Sequence, residues 1–296
     1  MNIFITLLIK IYKKIGNGFL GKVAYPLCNF AYEITHRNYF ILTASVHPLS
    51  RNWGDDMSNK LASLIAPHSK FIVNRYSWNI RHKDDILCIG SIITWMTGPN
   101  SIIWGSGIVY PERELSAIPK KILAVRGPLT RKYLLQRGVE CPEVYGDPAL
   151  LFPRYYQPHV EKKYKLGIVP HFRDKNNGIL KTLGKDSSVL IIDVQDVHPW
   201  HRFIDQICSC EHVATSSLHG LIISDAYHVP NVWIEFEGGE SKRFAFFDYL
   251  KSVHREIDKP LLLSSKSSVE GIIETCQYTE IDIDLEKLLD TCPFVN

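Results

Sequence analysis

Short apolar runs closed by polar or glycine-bearing turns recur along the chain, and most lead into a stretch with helical spacing. In the front half, Phe40–Thr43, 85–91, Ser101–Trp104 and 121–125 read as buried strands. Behind them, 165–170, 188–193, 212–215 and a strand reaching Trp233 repeat the pattern. Helices are expected at about 57–65, after Pro128 to near Gln136, at 199–209, 218–227 and 244–250, with two more in the tail at 269–276 and 283–289. Strand and helix alternate in both halves. The expected fold is therefore α/β, with two Rossmann-like domains, 1–154 and 155–296, facing across a cleft and joined through the proline- and tyrosine-bearing segment 153–165.

Within this frame the segment 211–233 stands out. It reads as a strand, a polar turn at Ser216 and Ser217, a helix from Leu218, and a second strand entered through Pro230. The turn lies at the carboxyl end of a strand and the amino end of a helix, where unpaired backbone N–H groups and the helix dipole favour an anion. His219 falls in the first turn of that helix. Serines there can also be simple caps, and a first-turn histidine can be purely structural.

Other strand ends carry polar chemistry of the same kind. Gly90-Ser91 and Gly105-Ser106-Gly107 let backbone approach a ligand closely, although the full GxGxxG fingerprint is missing. Arg126 ends the third strand, and its fork of donors suits phosphate or carboxylate; the alternative is an arginine paired with a nearby acid. His171 and Arg173 follow the strand at 165–170. The loop 51–56 contains Asp55 and Asp56, either of which could cap the next helix or meet a sugar. Asp147-Pro148 is explained by capping alone.

Composition narrows the function without deciding it. At 296 residues, 45% hydrophobic and with a net charge of +3 spread along the chain, the protein has room for two domains and no basic tract that would argue for nucleic acid. The seven cysteines form no CxxC pair, which argues against a zinc or redox site and suggests a reducing, cytoplasmic setting. An apolar stripe through Ile3, Leu7 and Ile11 with lysines opposite predicts a helix over 3–19. It would either pack on a core or lie peripherally on the inner face of a membrane.

Taken in order, Asn52-Trp53-Gly54-Asp55, the two glycine-serine turns, Val125-Arg126-Gly127-Pro128-Leu129-Thr130, Gly146-Asp147-Pro148-Ala149-Leu150-Leu151, Val169-Pro170-His171 and Ser216-Ser217-Leu218-His219-Gly220 make the chain resemble the polysaccharide pyruvyltransferase family over about residues 38–255. The resemblance implies a glycosyltransferase-B-like fold and phosphoenolpyruvate as donor. It also implies a cyclic pyruvate ketal built on a sugar of a surface polysaccharide or its lipid-linked precursor. Arg126 matches the family's donor-binding arginine and His219 its proposed acid/base histidine. Some members carry an arginine where Ser217 stands here, so another cation must serve the donor, Arg173 first and Arg243 second.

The donor site is thus expected at Arg126, Ser216, Ser217, Leu218, His219, Arg173 and Arg243. The acceptor is expected at Trp53, Asp55, Gly105, Ser106 and His171. Protonating the enol methylene suits an imidazole, and the scheme requires no cofactor or metal. A nucleotide-sugar glycosyltransferase of the same architecture and a non-catalytic glycan-binding relative remain the alternatives.

Overall fold

The computed structural model describes residues 39–44, 52–74, 84–237 and 242–295. Two five-stranded sheets, parallel throughout, form its frame. The front sheet contains β1 (Phe40–Thr43), β2 (Phe71–Asn74), β3 (Asp85–Leu87), β4 (Ser101–Trp104) and β5 (Lys121–Ala124) in the order β2-β1-β3-β4-β5. The second contains β6 (Tyr164–Val169), β7 (Val189–Ile191), β8 (Cys210–Thr215), β9 (Asn231–Phe236) and β10 (Leu261–Leu263) in the order β7-β6-β8-β9-β10.

Counted within its own half, each sheet therefore runs 2-1-3-4-5, and the chain writes one topology twice. In that order the connections leave the first strand to one side and the third strand to the other, which opens a crevice between their carboxyl ends. In the front sheet the crevice lies past Thr43 and Leu87, which are register partners; in the second it lies past Val169 and Thr215, also partners.

The described helices are α1 (Trp53–Ile65), α2 (Ile93–Met96), α3 (Pro128–Leu135), α4 (Gly178–Leu183), α5 (Arg202–Cys208), α6 (Leu218–Ala226), α7 (Arg243–Ser252), α8 (Val269–Ile273) and α9 (Leu285–Asp290), with a 3-10 helix at Pro148–Arg154. Both Rossmann-like sheets expected from the alternation are present. The sequence expectation does not include β2 and β10, edge strands of four and three residues. Asp147 caps the 3-10 helix through Oδ1, which accepts from the Ala149 N–H at 3.0 Å, and Pro148 takes the first helical position.

α1 begins four residues before the expected 57. Asn52 is its N-cap, with Oδ1 accepting from the Asp55 N–H at 3.1 Å, so neither Asp55 nor Asp56 is the cap. This early start carries Trp53 into the core, where it stacks on Phe203 of α5 at 4.9 Å and donates from Nε1 to the Trp200 carbonyl at 2.7 Å. One continuous apolar cluster, from Leu42 through Trp53 and Phe203 to Phe294, joins the two sheets.

Residue 154 lies between the sheets, yet the end of the chain returns to the front one. Trp104 of β4 donates to the Leu288 carbonyl in α9 at 3.0 Å, and Phe294 packs edge-on against Phe40, Phe71 and Trp104. α7 docks on α3, where Asp248 accepts from the Thr130 N–H at 2.8 Å and from its hydroxyl at 2.7 Å. Gly127 allows this approach, since a Cβ there would stand 2.0 Å from the Asp248 carbonyl oxygen. The same carboxylate lies 3.2 Å from Nε of Arg126, and both side chains are wholly buried.

Among the described residues no helix is long and apolar enough to cross a membrane. The stripe at 3–19 lies outside the described residues.

Breaking a buried ion pair on one side leaves the other charge uncompensated. Asp248→Ala is expected to lower unfolding stability by about 3–5 kcal/mol in urea titrations, because Arg126 and the Thr130 donors would lose their partner. A loss below about 1 kcal/mol, the scale of an exposed pair, would show that this contact does not hold α7 in place.

Candidate functional site

Both crevices open into one hollow of about 390 Å³. Asn52 and Asp55 at the start of α1, and Ser91 and Trp95 after β3, form its front wall. His171 and Arg173 after β6, Ser216 to His219 after β8, and Lys242 at the start of α7 form the other.

The two walls meet closely at His219. A Cβ on Gly54 would lie only 2.0 Å from its Nδ1, so the imidazole occupies the space that a larger residue at 54 would fill. His219 Nε2 stands 3.7 Å from Asp147 Oδ2, and both atoms are buried without a hydrogen-bond partner. Ser217 holds the N-cap position of α6 but makes no side-chain cap, so the first-turn N–H groups are left without one. Its own N–H instead donates to Thr215 Oγ1 at 3.0 Å. Gly220 lets α6 sit close on the sheet, since a Cβ there would meet Thr215 Oγ1 at 2.2 Å. Ser216 stitches the two loops together, accepting from the His171 N–H at 2.9 Å and donating to Asp174 at 2.6 Å.

Positive charge enters from Lys242, Arg173 and Arg113. Burial pushes the Lys242 ammonium down to about 8, with Arg173 adding to the effect and Asp55 and Asp174 opposing it. Its Nζ lies 2.9 Å from His171 Nε2. Burial, then Lys242 and Arg173, hold the His171 imidazole down at about 3, so it is neutral and accepts from the lysine. Burial also pushes the Asp55 carboxyl up to about 6, against the pull of His219, Lys242 and the Asn52 amide that donates to it.

Several expected site residues lie elsewhere. Arg126 does not reach the ligand space: it is 0% exposed, paired with Asp248, and donates to Ser91 Oγ and to the Ile108 carbonyl, both at 2.6 Å. Arg126 is thus paired with an acid, and the pair is buried. Gly107 makes room for it, because a Cβ there would be 2.3 Å from the guanidinium carbon. Trp53 offers no face to a sugar because it is core. Gly105, at φ +84°, turns under Pro148, and the buried Ser106 donates its hydroxyl to the Gly90 carbonyl at 2.7 Å. Arg243 points outward, its fork engaged with Glu235 at 2.7–3.2 Å.

Ser216, Ser217, Leu218, His219, Arg173, His171 and Asp55 do line the hollow. Lys242, Trp95 and Arg113 were missed. A signal for Lys242 exists in the sequence: a lysine opening an apolar helix works against the helix dipole and so needs another reason to be there.

With a folded value near 6 and an ordinary value of 3.8, the Asp55 carboxyl costs stability where it is ionised. The protein gains it back as pH falls through 6 towards 4. Asp55→Asn is accordingly expected to be more stable than the parent at pH 8 by about 1–2 kcal/mol after solvent screening at the hollow wall, with the gain gone near pH 4. Melting curves across that range check it, and a pH-independent difference would contradict it.

A family model described as polysaccharide pyruvyl transferase matches residues 30–237. The uncharacterized protein L143 of Acanthamoeba polyphaga mimivirus is 29% identical over 204 residues, covering 66% of this chain and 70% of its own length. The crystal structure of a functionally uncharacterized protein from Klebsiella pneumoniae subsp. pneumoniae NTUH-K2044 matches with a TM-score of 0.42 and 13% identity, over 82% of this chain and 98% of that one.

Proposed function

The chain belongs to the polysaccharide pyruvyl transferase family, and from that premise we propose that it transfers pyruvate from phosphoenolpyruvate onto two hydroxyls of one sugar, forming a cyclic ketal and releasing phosphate. The sugar belongs to a surface polysaccharide or its lipid-linked precursor. The observation that carries this reading is the convergence of an imidazole, an uncapped helix start and the cations Lys242 and Arg173 on a single hollow. A small ligand bearing both phosphate and carboxylate needs that combination.

In this reading the two sheets form a glycosyltransferase-B-like pair, with the donor on the second wall. Lys242 supplies the charge that Ser217 lacks, and Arg126 serves from beneath by fixing Ser91. The donor phosphate and carboxylate are held by Lys242, Arg173 and the N–H groups of α6. His219 gives a proton to the methylene carbon, which becomes the methyl group and leaves an oxocarbenium-like centre. One sugar hydroxyl attacks there and yields its proton to Asp55, whose carboxyl near 6 suits the task. Phosphate departs with its bonding electron pair, and the second hydroxyl closes the ring. The two hydroxyl protons balance those gained by the methyl group and the phosphate.

On the front wall Trp95 is 39% exposed, and its indole is pinned by Nε1 donating to the Ser91 carbonyl at 3.3 Å. A fixed aromatic face beside the hollow suits the apolar side of a pyranose ring. The six described cysteines are all free, which fits a reducing compartment and a cytoplasmic reaction.

Phosphoenolpyruvate at a hundredfold excess over its Kd is expected to stabilise the protein by about 2.7 kcal/mol, seen as a rise in Tm. No shift at millimolar donor would remove the reading. Phosphate release is expected only with an acceptor glycan present. His219→Ala should abolish that release, while Lys242→Ala should weaken the donor-induced shift at least tenfold in concentration and Arg243→Ala leave it in place. Trp95→Ala is expected to raise KM for the glycan with the donor response unchanged; an unaltered KM would clear Trp95 of the role.

A further inference from the structure

Two buried polar atoms face each other across the halves and have no other partner: Nε2 of His219 and Oδ2 of Asp147, 3.7 Å apart. Leaving either unpaired away from water is costly, so such an arrangement needs an explanation. Asp147 is 0% exposed, and its other oxygen is already committed to capping the 3-10 helix. That cap fixes where the free oxygen points. On the other side, Gly54 and the sheet beneath α6 fix the ring.

The Nε2 edge of the imidazole is turned to Asp147, Nδ1 lies beside Gly54 where the two walls meet, and the residue lines the hollow. We propose that Asp147 is the positioning residue for His219: it accepts the Nε2–H, holding the ring in that tautomer and leaving Nδ1 as the nitrogen that exchanges a proton with the bound ligand. The pairing follows from geometry alone, whereas its catalytic use rests on the reaction proposed above.

The separation exceeds a hydrogen bond and closes with half an ångström of side-chain motion, as proton-transfer pairs often do once a ligand is seated. A carboxylate behind an imidazole also stabilises the imidazolium, the form that can donate. The other charged groups facing this ring are Asp55 from α1, and Lys242, Arg173 and Arg113 around the hollow; His171 is neutral. Asp147 presents a buried carboxylate oxygen with no hydrogen-bond partner, whereas Asp55 Oδ2 accepts from the Asn52 amide.

Asp147→Asn separates capping from positioning. The asparagine oxygen keeps the bond to the Ala149 N–H, while its amide presents a donor where an acceptor stood. Nitrogen-15 spectra of histidine-labelled full-length protein, with the His219 signals assigned by their absence in His219→Gln, read the tautomer directly. The expected result is an Nε2–H ring in the parent and an Nδ1–H ring in Asp147→Asn, with Tm preserved. In kinetics, kcat should fall at least a hundredfold and the alkaline limb of its pH profile should move to lower pH. KM for phosphoenolpyruvate should stay within twofold.

An identical tautomer and an unmoved pH profile in Asp147→Asn would overturn the proposal and leave Asp147 as a cap. A flipped tautomer in a protein that never consumes phosphoenolpyruvate would uphold the pairing and defeat the reaction instead.

Discussion

The imidazole of His219, from the second half, packs directly on Gly54 of the first, and the rest of the site is arranged around that contact. Any side chain at 54 would have to displace the ring or part the two walls. The residues beside it explain why the chain can hold so close a meeting. Successive helical positions differ by about 100°, so a four-residue run can serve four directions. Asn52 caps the helix, Trp53 turns into the shared core, Gly54 yields to the imidazole, and Asp55 faces the hollow. The segment is a hinge of chemistry as much as of packing: the tryptophan that anchors the helix fixes how near the glycine comes to His219.

Writing the same strand order twice has a further consequence. A single doubly wound sheet has one crevice at its switch point, whereas here residues that follow strands of both sheets line one hollow. The two sets differ. The first contributes a carboxylate and an exposed indole, the second an imidazole, an arginine and an uncapped helix start. α7 couples them, because it follows the second sheet in sequence but docks on α3 of the first. Its start carries Lys242 into the hollow, and six residues later Asp248 neutralises Arg126 beneath the floor. One short helix thus sets both the charge that faces the ligand and the buried pair supporting it.

Much of this was legible in the sequence because strand ends and helix starts announce themselves by local chemistry. Ser216, Ser217 and His219 could be located from a buried run, a polar turn and an apolar helix, and they line the hollow. What local pattern does not contain is direction. Arg126 sits at a strand's carboxyl end as expected, yet its side chain runs inward because Gly107 leaves a slot and Asp248, 122 positions later, supplies a countercharge. With a helix expected only from 57, Trp53 falls in the loop before it; the cap at Asn52 draws it into the helix and the core. Lys242 and Arg243 are neighbours with the same charge, yet the lysine lines the hollow and the arginine turns outward to Glu235 on β9.

The polar groups of the hollow pull against one another. Burial holds the Asp55 carboxyl up near 6 and the Lys242 ammonium down near 8, and keeps His171 neutral, so each is displaced towards its uncharged form. A pocket meant only for stability would replace such groups with apolar ones of similar size, since desolvating charge without full compensation is unfavourable. An anion placed among Lys242, Arg173 and the helix start changes that balance: it favours the charged form of the lysine and satisfies N–H groups that no side chain caps. Negative charge at that point also raises the proton affinity of Asp55, the group that takes a proton from the sugar in the proposed reaction. The cost of burying these polar groups is thus what a doubly anionic ligand would relieve, and it is concentrated where the two walls of the hollow meet.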